Sequence, residues 1–445
     1  MKLSFYGGAG SVTGANYLLE SAGFSVLVDC GLIQGAPSVE KKNLEPFSYD
    51  PSSVKAVFIT HAHMDHIGRL PKLFCDGFAG TIYSTKATKD LAELALLDAQ
   101  HLQEKEGKIP FCEGPVVSDL MKLWKCVDYH QTVIEGPFAV RFYDAGHVLG
   151  SSFISFDVEG KRLVFSGDLG NTPAPIIKPT EKLPDCDYLL VESTYGGRTH
   201  EDSSLRDSVL EDVIEDVAKD KGTLIIPVFA LERAQDILLR MNDLFEKNKV
   251  PRMPVFVDSP LAIKMTAVYG KYEDLFNKEA ENKVLRGDDI FNFPGLKLTP
   301  TTEESKAINE VSPPKIIIAG SGMSQGGRIL HHEKRYLPDP KSTILFVGYQ
   351  TAGSLGRAIL EGSKEIVIMG EEIPVRCKVK QITSYSAHAD QPRLLSWIET
   401  SRARLKKVFV VQGDPEQAQA LATKLKDDLI VRAVVPEAGS VVELD

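Results

Sequence analysis

The stretch Val57–Pro71, "VFITHAHMDHIGRLP", constrains the fold of this chain more than any other. An apolar, β-branched run gives way within two residues to His61, His63, Asp65 and His66. Such a run is buried as a strand, and its end is where a rigid scaffold presents polar groups on a loop. Imidazole nitrogens suit Zn²⁺, Fe or Mn, and a carboxylate adds a harder ligand. Side chains alternate along extended backbone, so His61 and His63 point the same way. Asp65 and His66 are left to face a second ion. One loop supplies too few ligands for two ions, so the fold must bring further donors from other strand ends.

Candidates stand further along. Asp29 lies in "VLVDCGL", His147 in "YDAGHVLGSS" and Asp168 in "VFSGDLGN", each where an apolar run stops. Any one alone reads as a turn or capping residue. The first 195 residues are rich in short β-branched runs broken by Gly, Asp and Pro, the texture of strands. Residues 86–106 carry helical spacing, with apolar positions at Leu91, Leu94 and Ala95. After Thr199 the texture changes. "DSSLRDSVLEDVIEDVAKDKG" reads as an amphipathic helix with a Ser/Asp start and a Gly stop. The apolar runs "TLIIPVF", "KIIIAGSGM" and "STILFVG" then alternate with helical segments, which predicts a parallel sheet covered on both faces. From 371 the chain returns to β-rich character. The expected organisation is 1–199 and 371–445 forming one domain, with 200–370 inserted into it.

The order Asp29, His61-x-His63-x-Asp65-His66, His147, Asp168 resembles the metallo-β-lactamase superfamily. The resemblance implies an αββα sandwich with a dinuclear site at one edge. By the family pattern, His61, His63 and His147 hold one metal, Asp65 and His66 hold the other, and Asp168 bridges them. Asp29 orients a ligand histidine. Four further stretches resemble the β-CASP group of nucleases, relatives of the nuclease subunit of the cleavage and polyadenylation specificity factor. These are "VESTYGGRTH" with Glu192, "AGSGMSQGGRILHH", "FVGYQTAGSLGR" and "SYSAHADQ" with His388. The implied fold is α/β: an αββα metallo-β-lactamase sandwich with an inserted parallel α/β β-CASP domain. The implied activity is metal-dependent hydrolysis of single-stranded RNA, endonucleolytic or with 5′→3′ exonuclease capacity. Two Zn²⁺ ions are expected, with Mn²⁺ as a harder alternative.

One position departs from the family. Its third group motif has a histidine in a strand-end "H-G-E/D"; here the stretch is "VFVVQGDPEQ", with Gln412 in that place. An amide oxygen is a weaker, neutral ligand. Either the second site is weak or takes a harder ion, or the chain is a catalytically impaired RNA-binding or scaffold homologue.

Phosphodiester hydrolysis needs an activated nucleophile, charge neutralisation and a protonated leaving oxygen. In this reading Asp65 orients the nucleophile, His388 is the general acid, and Glu192 holds the His388 ring. Ser321 and Arg328 in the glycine-rich stretch, with Arg376 and Lys378 on a strand, are candidate substrate contacts. The backbone N–H groups of that stretch, at a helix start, are a further phosphate site. The net charge of −10 argues against a protein coated in basic patches, though not against a local phosphate track. A small-molecule metallohydrolase fits poorly with so long an insertion. Six cysteines without a CxxC pair read as reduced thiols in a cytoplasmic protein. "MKLSFYGGAG" reaches glycines too soon for a signal peptide, and no apolar run approaches the roughly 18 residues that span a bilayer. A homodimer is compatible with this reading.

Overall fold

The computed structural model describes residues 1–35, 39, 41–105, 111–112, 114–200, 205–351, 353–382 and 385–445. The expected Ser/Asp helix start at 202–204 and the helix end at Glu106 lie outside the described residues. The chain divides into two compact units, Met1–Thr199 with Ala387–Asp445, and His200–Ser386.

The first unit contains two seven-stranded sheets. In one, Lys2–Gly7, Asn16–Ser21 and Phe24–Val28 pair antiparallel, and Val54–Phe58, Thr81–Ser84 and Trp124–Cys126 continue in parallel. Val441–Glu443 closes its edge against Lys2–Gly7. In the other, Thr132–Glu135, Phe138–Asp144, Ser152–Val158 and Lys161–Phe165 are antiparallel. Tyr188–Glu192, Lys407–Val411 and Ala433–Val434 then add in parallel. Phe5, Phe58, Phe142, Phe156, Phe165 and Phe409 share one buried core drawn from both sheets. The helices Gln391–Glu399 and Pro415–Asp427 cover the outer face of the second sheet through Leu394, Ile398, Leu421 and Leu425. That double covering explains why "YLLVE" and "KVFVV" read as continuous apolar runs. Phe138–Asp144 instead alternates buried and half-buried positions. The helix Lys86–Lys105 buries Leu91 and Ala95, as its spacing predicts. These layers make the αββα sandwich.

The second unit has a six-stranded, wholly parallel sheet, ordered Leu296–Leu298, Val255–Asp258, Lys315–Ala319, Thr223–Pro227, Thr343–Val347, Lys378–Ile382. Along Lys315–Ala319, Ile316 and Ile318 join one core with Ile214, Leu238 and Met241. Ile317 and Ala319 join another with Ile329, Tyr336 and Ile359. With both faces covered, Ile316 to Ala319 are all apolar, and the one charged residue of the strand, Lys315, is buried with its Nζ donating to the Ile308 and Val311 carbonyls.

Two expectations need correction. The second unit extends past 370 to Ser386, because Lys378–Ile382 pairs in parallel with Thr343–Val347 as an edge strand of this sheet. The cysteines are not all free thiols: Cys75 and Cys112 form a disulfide, while Cys30, Cys126, Cys186 and Cys377 are free. The pair is 37 apart in sequence, too far for a spacing signal, and is brought together where the helices Leu70–Cys75 and Val116–Lys122 pack. Among the described residues no helix is long and apolar enough to cross a membrane.

Candidate metal centre

Six strands of the first unit stop at one edge of the sandwich, and each delivers a polar residue there. Phe24–Val28 is followed by Asp29, Val54–Phe58 by the histidine loop, Phe138–Asp144 by His147, and Lys161–Phe165 by Asp168. Tyr188–Glu192 ends on Glu192 itself, and Lys407–Val411 is followed by Gln412. The histidine loop is not extended throughout: Met64–Ile67 forms one helical turn with His63 at its N-cap. Backbone bonds from Ala15 N to Asp65 O, Cys30 N to His66 O and Leu32 N to Met64 O pin it against the Asp29 loop. Gly31 makes that approach possible, since a Cβ there would lie 1.5 Å from Asp65 O.

Four donor atoms converge. His61 Nε2 is 3.0 Å from His63 Nδ1, and His147 Nε2 is 3.3 Å from the same atom. Asp168 Oδ2 lies 3.5 Å from both His61 Nε2 and His147 Nε2. Zinc bonds of about 2.0–2.1 Å at tetrahedral angles separate donor atoms by about 3.3 Å, so the four fit one ion. Their partners set the tautomers. Thr60 Oγ1 is 3.1 Å from His61 Nδ1, and the Ala387 carbonyl is 3.3 Å from His147 Nδ1. Both Nε2 atoms therefore carry lone pairs toward the common point. Burial, reinforced by the neighbouring imidazoles, pushes His61 and His147 well below the usual histidine range. They stand neutral, as metal ligation requires.

A second group lies beside the first. His66 Nε2 is 3.4 Å from Asp168 Oδ1 and 3.9 Å from Asp65 Oδ2. Its Nδ1 is 2.7 Å from Asp29 Oδ2, and Asp29 also accepts from Thr60 N and Thr60 Oγ1, each at 2.8 Å. Burial raises the Asp65 carboxyl above its ordinary range. Burial opposes a charge on His66, but Asp168 and Asp29 outweigh it and raise this imidazole. Gln412 completes the group through its nitrogen: Nε2 is 2.8 Å from Asp168 Oδ1 and 3.1 Å from His66 Nε2.

His388 stands on the far side of Asp168. Ala389 N bonds Leu169 O and Asn171 N bonds Ala387 O, so a short backbone bridge at Gly170 positions it. Its Nδ1 lies 3.2 and 3.3 Å from the two Glu192 oxygens and 3.9 Å from Asp168 Oδ2. Glu192 is fully buried, and its Oε1 accepts from Leu169 N at 2.6 Å. Burial works against a charge on His388, but Glu192 and Asp168 raise it to about 9.

Three matches with known families follow this layout. Residues 10–226 match the metallo-β-lactamase superfamily, 234–359 the β-CASP domain, and 372–436 a Zn-dependent metallo-hydrolase RNA specificity domain. Ribonuclease TTHA0252 of Thermus thermophilus is 38% identical over 427 residues, covering 96% of each chain. The chain belongs to the β-CASP group of the metallo-β-lactamase superfamily. It is accordingly a divalent-metal hydrolase by family. Other β-CASP relatives include an RNase J-like protein of Methanocaldococcus jannaschii, 32% identical and covering 99% of each chain. The transcription termination factor FttA of Methanosarcina mazei is 30% identical, over 96% of this chain and 69% of its own length. In fold, the chain is similar to a crystal structure of a protein of unknown function from Enterococcus faecalis V583, with TM-score 0.58, 14% identity, and coverage of 100% and 99%.

The expected substrate contacts of this β-CASP chain lie in the second unit, and the structure commits most of them. Arg328 donates to Asp258 Oδ1 at 2.7 Å, to the Thr299 carbonyl at 2.6 Å and to the Pro300 carbonyl at 3.0 Å. These bonds hold the guanidinium in place within the second unit. The glycine-rich loop also spends its amides internally: Ser321 N bonds Gly326 O, Ser324 N bonds Ser321 O, and Gln325 N bonds Ser321 Oγ. Lys378 pairs with Asp220. Arg376 is exposed and precedes the strand Lys378–Ile382 instead of lying in it. His332, in the helix Ile329–Tyr336, bonds Asp258. Sequence reading missed Thr60, Tyr17 and the Ala387 carbonyl. Thr60 follows the strand Val54–Phe58, Tyr17 lies within Asn16–Ser21 and donates to Gln412 Oε1 at 3.4 Å, and neither is marked by any pattern; a carbonyl carries no sequence signal.

Proposed function

We propose that this chain is a metal-dependent ribonuclease that hydrolyses phosphodiester bonds of single-stranded RNA in the cytoplasm. His61, His63, His147 and Asp168 would hold the zinc. The observation that carries this reading is the tetrahedral spacing of those four atoms with the Glu192–His388 pair beside them. The names of two relatives, a ribonuclease and an RNase J-like protein, support RNA as the substrate class.

Bound zinc supplies Lewis acidity, neutralising phosphate charge and making water a better nucleophile. The chain's own groups do the rest. Asp65, held at the head of the Met64–Ile67 turn, orients the attacking water. His388 directs Nδ1 at Glu192, which leaves Nε2 to give a proton to the leaving oxygen. Leu169 N–H and the buried site lock Glu192, so the ring cannot swing. Arg376, exposed ahead of Lys378–Ile382, is the remaining cation of the expected set for RNA phosphates.

The reading is tested on His388→Ala. Zinc content stays at the level of the unmodified protein and cleavage of single-stranded RNA falls at least 100-fold. Loss of metal from this variant would move His388 into the ligand set and remove it as the acid. The second reading, an RNA-binding homologue without cleavage, draws on Gln412 alone. It requires that purified protein with full metal content bind single-stranded RNA and leave it intact.

A further inference from the structure

We propose that this chain holds a single catalytic metal ion, and that the Gln412 carboxamide takes the place of a second. The proposal rests on reading His61, His63, His147 and Asp168 as the metal site.

The donors around the expected second ion are already engaged. A cation there needs lone pairs from His66 Nε2 and Asp168 Oδ1. Both atoms face the Gln412 nitrogen instead, at 3.1 and 2.8 Å. One N–H of the primary amide is donated to Asp168 Oδ1, and the amide nitrogen has no lone pair to offer a cation. Its other end agrees: Tyr17 Oη donates to Gln412 Oε1 at 3.4 Å. Turning the amide over would set its oxygen against the Asp168 carboxylate and give up Tyr17. His66 is fixed in the same arrangement: Asp29 Oδ2 accepts from its Nδ1 at 2.7 Å, which turns Nε2 toward Asp168 Oδ1 at 3.4 Å and away from any open coordination position.

The amide is also fixed at its root. Gln412 N donates to Gly8 O at 2.6 Å, Gln412 O accepts from Ser193 N at 3.3 Å and from Thr194 Oγ1 at 3.2 Å, and the residue is buried. Its backbone is left-handed, with φ of 49°, a conformation that a non-glycine residue adopts only when its surroundings hold it there. The fixed backbone points the side chain at this one place.

Asp168 is therefore divided. Oδ2 faces the three imidazoles of the metal set, and Oδ1 is held by an uncharged donor. The amide does the positional work of a cation, aiming Oδ2, without adding charge. Asp65 is then free of a metal bond and available to the nucleophile.

The test is metal stoichiometry on purified full-length protein, dialysed against zinc and measured by elemental analysis, with circular dichroism as the folding check. Unmodified protein is expected to hold one zinc per chain, and His66→Ala to keep it. Gln412→His and Gln412→Glu, two independent ways of adding a ligand, are each expected to raise the content to two. Two ions in unmodified protein, or one ion in both folded Gln412 variants, overturns the proposal. If either variant fails to fold, the other decides. His61→Ala separates the two readings: it drops the content to zero if the four-donor set is the metal site. An unchanged content there would defeat the site assignment itself, whatever Gln412 does.

Discussion

Both carboxylate oxygens of Glu192 face one atom of His388, its Nδ1, at 3.3 and 3.2 Å. A buried carboxylate so placed fixes the ring and favours its protonated form, the form an acid catalyst needs before it acts. His388 is raised to about 9, so it stays protonated below that pH and activity falls as pH rises through it. Glu192→Gln removes the charge, which lowers that limit. Its alkaline limb should move to lower pH, with kcat reduced about 10- to 100-fold and zinc content unchanged. An unshifted limb would mean that Glu192 is merely structural.

Asp29 accepts three bonds, from Thr60 N, Thr60 Oγ1 and His66 Nδ1. Its φ is 59°, which an asparagine tolerates as well. Asp29→Asn thus isolates the charge from the backbone. It should cost about 2–3 kcal/mol, measured by denaturant unfolding of the zinc-loaded protein. It also releases the His66 ring. A loss below about 0.5 kcal/mol would show that Thr60 and His66 do not depend on the ionised carboxylate.

Metal removal should be felt as lost stability. Lone pairs of three imidazoles and a carboxylate within 4.8 Å of one another repel unless a positive charge lies between them. Chelation is expected to lower the first unit's melting temperature, and zinc at 100 times its dissociation constant restores about 2.7 kcal/mol. Calorimetry with and without chelator checks it. His63→Ala should remove the difference.

Asp258 gives the second unit a pH signature. Burial alone would raise its carboxyl, but hydrogen bonds from His332, Ser305 and Arg328 prevail and lower it to about 2. A depressed acid contributes its stability above the unfolded value near 4 and loses it as pH falls toward 2. The increment is on the order of 1–2 kcal/mol. Unfolding of the second unit, followed between pH 5 and 2, should show this slope in unmodified protein and a flatter one in Asp258→Asn. Parallel slopes would contradict it.

How legible was all this in the amino-acid order? The ligand edge was readable because a buried strand cannot carry a polar residue until it stops, so Asp29, His61, His147 and Asp168 stood out at strand ends. The sandwich and its insertion followed from a change of period near Thr199. What escaped were partners that only folding brings close. That Arg328 donates to Asp258 could not be read in the order, because the two are 70 residues apart. The segment near 378 looked like a return to the sandwich because Lys378–Ile382, at the edge of its parallel sheet, is mostly exposed and polar and lacks the continuous apolar run of the inner strands. Gln412 was visible as a departure from the family pattern. Only the positions of Asp168, His66 and Tyr17 reveal which end of its amide faces inward.

The strand Lys407–Val411 sits between Tyr188–Glu192 and Ala433–Val434. A ribosome makes it only after the whole second unit has been synthesised. At 5–20 residues per second, Tyr188–Glu192 waits roughly 10–40 seconds as a bare, apolar edge. Such an edge invites pairing with other nascent chains. The strand that carries Glu192 is thus the one exposed longest during synthesis, and slowed translation between residues 200 and 400 should increase aggregation of the chain.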